Sequence, residues 1–156
     1  MSPHLRPARP TDAGSLGAMI TAAVEAHDWK PLLHSGAEDI AHAGTMIERG
    51  WVTVAEDRAG TLLGFLAREG SYVHALFVAQ AVQGRGIGHA LLEDAKRAAR
   101  RLELWTFLAN ARAQRFYERA GFAISRRGDG SANAEGLPDL FYVWEAPAFR
   151  NREARP

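Results

Sequence analysis

The stretch VAQAVQGRGIGHALLEDAKRAAR, residues 78–100, decides the fold of this chain. Gly84, Gly86 and Gly88 fall within five positions, and helix-like sequence follows them at once. Glycine weakens local order because its backbone is unusually free, so such a cluster needs a compensating role. The usual role is to let backbone N–H groups hold an anion at the start of a helix. The stretch therefore predicts an anion-binding turn between a strand and a helix.

Three phosphate-loop patterns compete for this turn. A P-loop requires G-x-x-x-x-G-K-[ST], and the chain contains no such string. A dinucleotide fingerprint requires G-x-G-x-x-G/A, but the sixth position counted from Gly84 is His89. The third pattern is Q-x-x-G-x-G, which Gln83, Gly86 and Gly88 satisfy at every position. Only this third pattern fits.

Length and composition limit the kinds of protein that this chain can be. Its 156 residues suffice for one domain with a hydrophobic core, and 47% apolar residues is an ordinary content for a globular protein. The net charge of +1 gives no broad electrostatic case for nucleic-acid binding. No apolar run approaches the roughly 20 residues that span a bilayer, and the N-terminus lacks a signal-like apolar segment. We therefore expect a cytoplasmic protein that binds neither nucleic acid nor membrane.

The absence of cysteine removes several kinds of chemistry. It excludes disulfides, thiolate nucleophiles and cysteine-based zinc sites. The histidines show no H-E-x-x-H or comparable spacing, so we also expect no metal site.

The order of predicted elements is β-α-α-β-β-β-α-β-α-β-β, which indicates a single mixed α/β domain over residues 1–156. Its core should cover about residues 3–146, and residues 147–156 should form a charged tail. The segment from Tyr72 to Leu108 is strand–helix–strand, so we expect its two strands to be parallel.

Local signals place the helix ends. Thr11 or Asp12 can cap the first helix, and Ser35 with Glu38 has the spacing of a capping box for the second. The helix after the glycine cluster should carry one apolar stripe, made by Leu91, Leu92, Ala95, Ala98, Ala99 and Leu102.

Two motifs together resemble the GNAT superfamily of N-acetyltransferases. VAQAVQGRGIGHALL, residues 78–92, is similar to the acyl-CoA-binding motif of that family. ANARAQRFYERAGF, residues 109–122, is similar to its N-x-x-A-x-x-F-Y-x-x-x-G-F segment, and the element order matches the family's fold. The resemblance implies a GNAT-like fold with a central twisted mixed sheet of six to seven strands and about four helices. It also implies acetyl-CoA as co-substrate.

The resemblance assigns most of the acyl-CoA site to one region. Successive N–H groups there can wrap a pyrophosphate, with help from the partial positive charge of the helix N-terminus. The loop residues are Gln83, Gly84, Arg85, Gly86, Ile87 and Gly88. Leu76, Phe77 and Val78 should bind the pantetheine arm through their backbone, and the Val78 N–H should polarise the thioester carbonyl. Asn110 is expected to contact the arm, to cap the following helix, or both.

Tyr117 lies at the position that is often the general acid in GNAT enzymes. A phenol with a pKa near 10 can donate a proton to a departing thiolate whose thiol has a pKa near 8.5. The alternative is a structural tyrosine whose ring packs beside Phe116 and Phe122.

His74 is the best candidate for a general base, because its ordinary pKa lies near neutrality. Some relatives that accept aromatic amines carry H-x-H-A-L-x-V on this strand, and YVHALFV keeps the second histidine with Tyr72 in the first place. Alternation should put Tyr72, His74 and Leu76 on one face of the strand. A histidine satisfied by its neighbours in the strand is the alternative.

The acceptor site should involve the connection between the first two helices and the loop before the last strand. Trp29 and His34 on the former, Tyr72 on its strand, and Asn133 with Glu135 on the latter are the candidate contacts to an amine. The alternative for the loop residues is solubility and turn formation.

The motifs favour an N-acetyltransferase that moves the acetyl group of acetyl-CoA to a primary amine of a small molecule, by direct attack in a ternary complex. The absence of cysteine agrees with a mechanism that lacks an acyl-cysteine intermediate. One alternative is a non-catalytic acyl-CoA-binding regulator on the same fold, and another is a nucleotide-binding protein of a different fold. GNAT proteins are often dimers, and an exposed final strand would permit a homodimer.

Overall fold

The computed structural model describes residues 2–147 of the chain. Its strands and helices follow one another in the predicted order. They are β1 His4–Pro7, α1 Ala13–Glu25, α2 Gly36–Glu48, β2 Val52–Glu56, β3 Leu62–Glu69, β4 Tyr72–Val78, α3 Ile87–Ala98, β5 Arg101–Phe107, α4 Ala111–Arg119, β6 Ala123–Gly128 and β7 Asp139–Glu145. Short 3-10 turns occupy Pro10–Asp12 and Gln80–Val82. Of the predicted charged tail, residues 148–156 lie outside the described part of the chain.

The strands form a seven-stranded mixed sheet in the order β1-β2-β3-β4-β5-β7-β6. β4 runs parallel to β5, with Tyr72 opposite Glu103, as the strand–helix–strand segment predicted. The strand pairs β1–β2, β2–β3, β5–β7 and β6–β7 are antiparallel. The seven strands and four α-helices of the described residues confirm the predicted mixed α/β fold class.

The described residues divide into two compact units. The N-terminal unit comprises residues 2–69 and 74–94, and the C-terminal unit comprises residues 70–73 and 95–147. The prediction of a single domain stays a prediction.

In the N-terminal unit, α1 and α2 pack on the antiparallel strands. The core contains side chains of both helices and of β2 and β3, among them Leu16, Met46, Val54 and Phe65. Ala75 and Phe77 of β4 pack against this core, which places them on the opposite face of the strand from His74, as alternation predicted.

In the C-terminal unit, β7 lies between β5 and β6. Leu104 faces Tyr142 across the β5–β7 pair, and both side chains are buried. Residues 123–127 of β6 are all exposed, so β6 is a solvated edge strand.

Most of the local signals behave as predicted. Ser35 accepts a hydrogen bond from the Glu38 N–H at 3.1 Å, and Glu38 accepts one from the Ser35 N–H at 2.9 Å, which confirms the capping box of α2. Of the two predicted caps of α1, Asp12 stands at the N-cap position, but its side chain makes no capping hydrogen bond to that helix. Its carboxylate accepts the Arg9 N–H at 2.7 Å and pairs with Arg6 at 2.9 Å instead, which lowers the pKa of Asp12.

The predicted helix stripe extends too far. α3 ends at Ala98, and Leu102 lies on β5 opposite Trp144 of β7. No helix among the described residues is both long and apolar enough to cross a membrane.

Candidate functional site

The glycine cluster forms a turn that enters α3. Gly84 has φ of 79° and Gly86 has φ of 84°, so both occupy the left-handed region that favours glycine. The side of each residue on which a Cβ would stand is open, with no atom within 4 Å. Within residues 2–147, the N–H groups of Gly84, Arg85 and Gly86 donate no hydrogen bond to the protein. Three successive donors therefore remain available to an anion.

This turn has the properties that a pyrophosphate requires. Neighbouring N–H groups in a backbone that alternates its handedness form an anion-binding concavity. The N-terminus of α3, at Ile87, follows directly and adds partial positive charge. Residues 83–86 are exposed, so a ligand can reach them. The residues present thus fit the diphosphate portion of CoA.

The end of β4 is held against β3. The Ala79 N–H donates to the Leu63 carbonyl at 2.8 Å. Because successive N–H groups of an extended chain point to opposite edges, the Val78 N–H points away from β3. The Gln83 side chain donates to the Val78 carbonyl at 3.4 Å, which ties the loop to the strand end. The structure thus brings Gln83 and Val78 together within the N-terminal unit.

Gly64 of β3 lies next to the end of β4 in the neighbouring strand. It was not among the predicted site residues. A Cβ at Gly64 would stand 2.7 Å from the Phe77 carbonyl oxygen and 3.3 Å from the Val78 Cα. It would also stand 3.2 Å from Cγ2 of Ile87, the first residue of α3. An isolated glycine inside a strand pattern indicates close backbone approach, and this signal could have identified it.

His74 lies on β4, four positions before Val78, and contacts the side chains of Glu69 and Trp51. Its Nε2 is 2.9 Å from Oε1 of Glu69, and its ring stacks on Trp51 with centroids 4.5 Å apart and planes 6° apart. The Arg49 guanidinium lies 5.0 Å from the centre of the Trp51 ring. The His74 side chain is 30% exposed. The imidazole is therefore oriented by one carboxylate and one aromatic face while solvent still reaches it.

The connection between α1 and α2 carries the predicted Trp29 and His34. Trp29 is half-buried, with its ring 4.8 Å from that of His27. His34 is 62% exposed and lies 3.9 Å from Glu38. Leu32 and Leu33 are 72% and 43% exposed, so this connection presents apolar side chains to solvent.

In the C-terminal unit, Asn110 begins α4. Its Oδ1 accepts the Ala113 N–H at 3.1 Å, which confirms the predicted helix cap. Within the described residues its Nδ2 makes no hydrogen bond. The cap and a contact to a ligand are therefore compatible.

Tyr117 is buried on α4 among aromatic rings. Phe116, Phe122 and Tyr142 lie with ring centroids 5.1, 5.4 and 6.2 Å away. Burial raises the pKa of the Tyr117 hydroxyl well above its ordinary value. No hydrogen bond to this hydroxyl occurs within residues 2–147. The Tyr117 ring therefore packs as the structural alternative predicted. Its hydroxyl also keeps the proton that a general acid would donate.

The remaining acceptor candidates also lie in the C-terminal unit. Burial, followed by the charges of Asp139 and Glu103, raises the pKa of the Tyr72 hydroxyl. Asn133 donates to the Leu137 carbonyl at 2.7 Å and to Asp139 at 3.1 Å, and accepts the Leu137 N–H at 3.2 Å. The Asn133 side chain therefore stabilises its own loop through these three hydrogen bonds.

Glu135 is half-buried in the same loop, where Gly130 lies against the backbone of Gly136. No group of three His, Asp or Glu side chains in the described part of the chain could hold a metal ion.

Comparison with known proteins bears on these observations. Residues 48–124 match the Acetyltransferase (GNAT) domain, a range that includes the glycine turn, Asn110 and Tyr117. The chain is 43% identical over 60 residues to an uncharacterised N-acetyltransferase of Methanocaldococcus jannaschii, which covers 35% of this chain and 26% of that protein. It is 32% identical over 95 residues to the peptidyl-lysine N-acetyltransferase YjaB of Escherichia coli, which covers 60% of this chain and 63% of YjaB. The chain thus spans less than two thirds of the length of these relatives.

Solved structures share the fold. The solution structure of apo YjaB from Escherichia coli superposes with a TM-score of 0.78 at 24% identity, covering 94% of this chain and 99% of that one. The structure of yncA from Salmonella typhimurium, solved with its cofactor acetyl-CoA, superposes with a TM-score of 0.70 at 21% identity. It covers 93% of this chain and 94% of that one. The family match, the two motifs and the shared fold agree, and residues 48–124 of the chain belong to the GNAT superfamily of acetyltransferases.

Proposed function

We propose that the protein transfers the acetyl group of acetyl-CoA to a primary amine of a small molecule, by direct attack in a ternary complex. One observation carries the proposal. Gly84, Arg85 and Gly86 present three N–H groups that have no hydrogen-bond partner within residues 2–147, directly before α3 and after the end of β4. This is the arrangement that a pyrophosphate needs, and it lies within the matched family domain.

The chain's backbone would hold the co-substrate. Residues 83–88 would bind the diphosphate, and the backbone of Leu76, Phe77 and Val78 would bind the pantetheine arm as an added strand. Asn110 would contribute its Nδ2. When bound, acetyl-CoA supplies an activated thioester. The Val78 N–H, which points away from β3, would donate to the carbonyl oxygen where negative charge develops.

His74 would remove the proton that the attacking amine must lose. Glu69 accepts a hydrogen bond from Nε2 in the neutral imidazole, which leaves the lone pair on Nδ1. The amine nitrogen forms the new bond to the carbonyl carbon as the carbon–sulfur bond breaks, and its surplus proton passes to His74, directly or through water.

Tyr117 would protonate the departing sulfur. Burial keeps this phenol in its protonated form, and its hydroxyl has no acceptor within residues 2–147. This role rests on the family motif around Phe116 and Tyr117.

The acceptor would arrive as a cation and lose one proton to solvent, so that the neutral amine attacks and His74 takes the second proton from the nitrogen. Amines with a pKa of about 10 are protonated at neutral pH. The negative charges of Asp139 and Glu103, which help to raise the pKa of Tyr72, would also attract such a cation. We propose that the side chains in contact with the acceptor are Tyr72, Asn133, Glu135, Trp29 and His34. YjaB is named a peptidyl-lysine N-acetyltransferase, which makes a lysine side chain of a protein the second candidate acceptor.

Release of CoA from acetyl-CoA tests the proposal, with a panel of small primary amines and a lysine-containing peptide as acceptors. We expect turnover with at least one small amine. Turnover confined to the peptide would support the second candidate. Tight binding of acetyl-CoA with no turnover on any amine would instead support a non-catalytic regulator.

A matched pair of variants tests the loop. Gly84→Ala and Gly50→Ala place alanine at φ values of 79° and 75°, both where the Cβ side is open, so their backbone strain should be similar. We expect only Gly84→Ala to weaken CoA binding, measured by calorimetry. Equal affinities for the two variants would count against the loop as the CoA site.

A further inference from the structure

A cation and a carboxylate lie at the two ends of one side-chain cluster in the N-terminal unit. Arg49, at the C-cap position of α2, holds its guanidinium 5.0 Å from the centre of the Trp51 ring. The same ring stacks on His74 at 4.5 Å, and Nε2 of His74 is 2.9 Å from Oε1 of Glu69. We propose that this cluster selects a primary amine that also carries a carboxylate, and that Arg49 binds the carboxylate. The inference rests on the proposed function and names its substrate class.

The guanidinium of Arg49 is left to a ligand. Arg49 is exposed, and within residues 2–147 it makes no ion pair and no side-chain hydrogen bond. Glu69, the acid of the same cluster, is bound to His74 and does not pair with Arg49. A planar guanidinium binds a carboxylate with two parallel hydrogen bonds. A carboxylate on the acceptor would therefore find a partner that the described part of the chain does not occupy.

The indole fixes the positions of these groups. Trp51 is half-buried against the core of the N-terminal unit. Its N–H donates to the Met46 carbonyl of α2 at 3.2 Å, and its carbonyl accepts the Arg68 N–H of β3 at 2.9 Å. The ring that contacts both Arg49 and His74 is thus held by a helix and a strand. The cation and the imidazole keep a defined spacing across it.

The charges match an acceptor of opposite polarity. The carboxylate of Glu69 attracts an incoming ammonium group toward His74, the proposed base, while Arg49 attracts a negative group. Arg49 and His74 contact the indole, and within residues 2–147 they make no contact with each other. A ligand that reaches both must therefore extend along the ring. An ω-amino acid does so better than an α-amino acid, because methylene groups separate its amine from its carboxylate.

The test measures kcat/KM at saturating acetyl-CoA for matched pairs of acceptors. Each pair joins an amino acid to the alkylamine that lacks its carboxylate: glycine with methylamine, γ-aminobutyrate with propylamine, and ε-aminocaproate with pentylamine. The proteins are the wild type, Arg49→Gln, Arg49→Lys and a control, Arg119→Gln. The control removes the same charge from the exposed last turn of α4.

We expect the wild type to prefer the two longer amino acids over their alkylamines by at least about tenfold, since hydrogen bonds to charged groups are worth that factor or more. Arg49→Gln should lose this preference. Arg49→Lys should keep part of it, because lysine retains the charge without the planar fork. Arg119→Gln should keep all of it. The proposal is overturned if the wild type shows no preference, if Arg49→Gln retains it, or if Arg119→Gln loses it equally.

Failure of the proposed function gives a different result. If no amine is acetylated, the proposed function fails, and calorimetry with γ-aminobutyrate and propylamine in the presence of CoA still tests Arg49. Binding of γ-aminobutyrate to the wild type that weakens about tenfold in Arg49→Gln supports the proposal. Binding that is absent from the wild type, or equal in the two proteins, overturns it.

Discussion

The imidazole Nε2 of His74 lies 2.9 Å from Oε1 of Glu69, across the hairpin turn that joins β3 to β4. Trp51 covers the His74 ring at 4.5 Å in a nearly parallel stack. A neutral histidine that donates from Nε2 keeps its lone pair on Nδ1, so Glu69 selects one tautomer and Trp51 limits rotation of the ring. Glu69 and Trp51 therefore determine which nitrogen of His74 can accept a proton.

Replacing His74 by alanine should lower kcat for acetyl transfer by about 10²–10⁴-fold, the range typical for loss of a general base. Glu69→Ala should lower kcat less, with little change in KM for acetyl-CoA, and should mix the two tautomers of His74 in ¹⁵N NMR spectra. His42→Ala, at an exposed position of α2, is the control and should behave as the wild type. A fully active His74→Ala would show that another group or water removes the proton.

Tyr117→Phe should lower kcat while leaving the fold intact. The substitution keeps the ring that packs on Phe116 and Phe122, and it removes a hydroxyl that has no hydrogen-bond partner within residues 2–147. The free energy of unfolding should therefore change by less than about 1 kcal/mol. Rates with a thioester whose thiol is more acidic should fall less, because that leaving group needs a proton less. Unchanged kcat with acetyl-CoA would make Tyr117 a packing residue.

Alkaline pH should destabilise the C-terminal unit through Tyr142. Burial, followed by the hydrogen bond of its hydroxyl to Glu118 at 2.7 Å, raises the pKa of Tyr142 to about 12. The folded pKa exceeds the unfolded value of about 10, so this contribution is complete below pH 10 and is lost as the pH rises toward 12. The loss should reach about 2–3 kcal/mol.

Urea unfolding at pH 8, 10 and 12 measures this effect. Tyr142→Phe should be less stable than the wild type at pH 8, because the hydrogen bond to Glu118 is gone. Its stability should then fall less steeply than that of the wild type above pH 10. Parallel curves for the two proteins would show that Tyr142 ionises equally in both states.

The order of elements and the glycine turn could be predicted because they depend on local sequence. Turn chemistry and the 3.6-residue and 2-residue periods are visible in a single chain. Leu102 shows the limit of that approach. It continues the apolar spacing of α3, but pairing with Trp144 of β7 places it on β5. Tertiary pairing overrides local preference there, and the partner strand lies far along the chain.

The candidate site residues also differ in whether local sequence or tertiary contacts place them. Asn110 and the loop residues belong to contiguous motifs, so their positions could be predicted. Glu69 could not be assigned to His74, because their contact depends on the register of the β3–β4 hairpin.

Gly64→Ala should destabilise the N-terminal unit and weaken CoA binding together. The new Cβ would stand 2.7 Å from the Phe77 carbonyl oxygen and 3.3 Å from the Val78 Cα, and backbone atoms cannot rotate away as a side chain can. Overpacking of this kind usually costs about 1–3 kcal/mol. Relief requires β4 to move from β3, which would shift the Val78 N–H. We therefore expect a lower free energy of unfolding and a higher Kd for CoA.

Gly14→Ala is the matched control. Gly14 lies in α1 with nothing within 4 Å of the added Cβ, so alanine there should stabilise the helix by about 0.5–1 kcal/mol. Its affinity for CoA should equal that of the wild type. If Gly64→Ala lost stability but bound CoA with unchanged affinity, β4 would have absorbed the added methyl group without moving Val78. The close packing of β3 beneath Phe77 would then serve the fold alone.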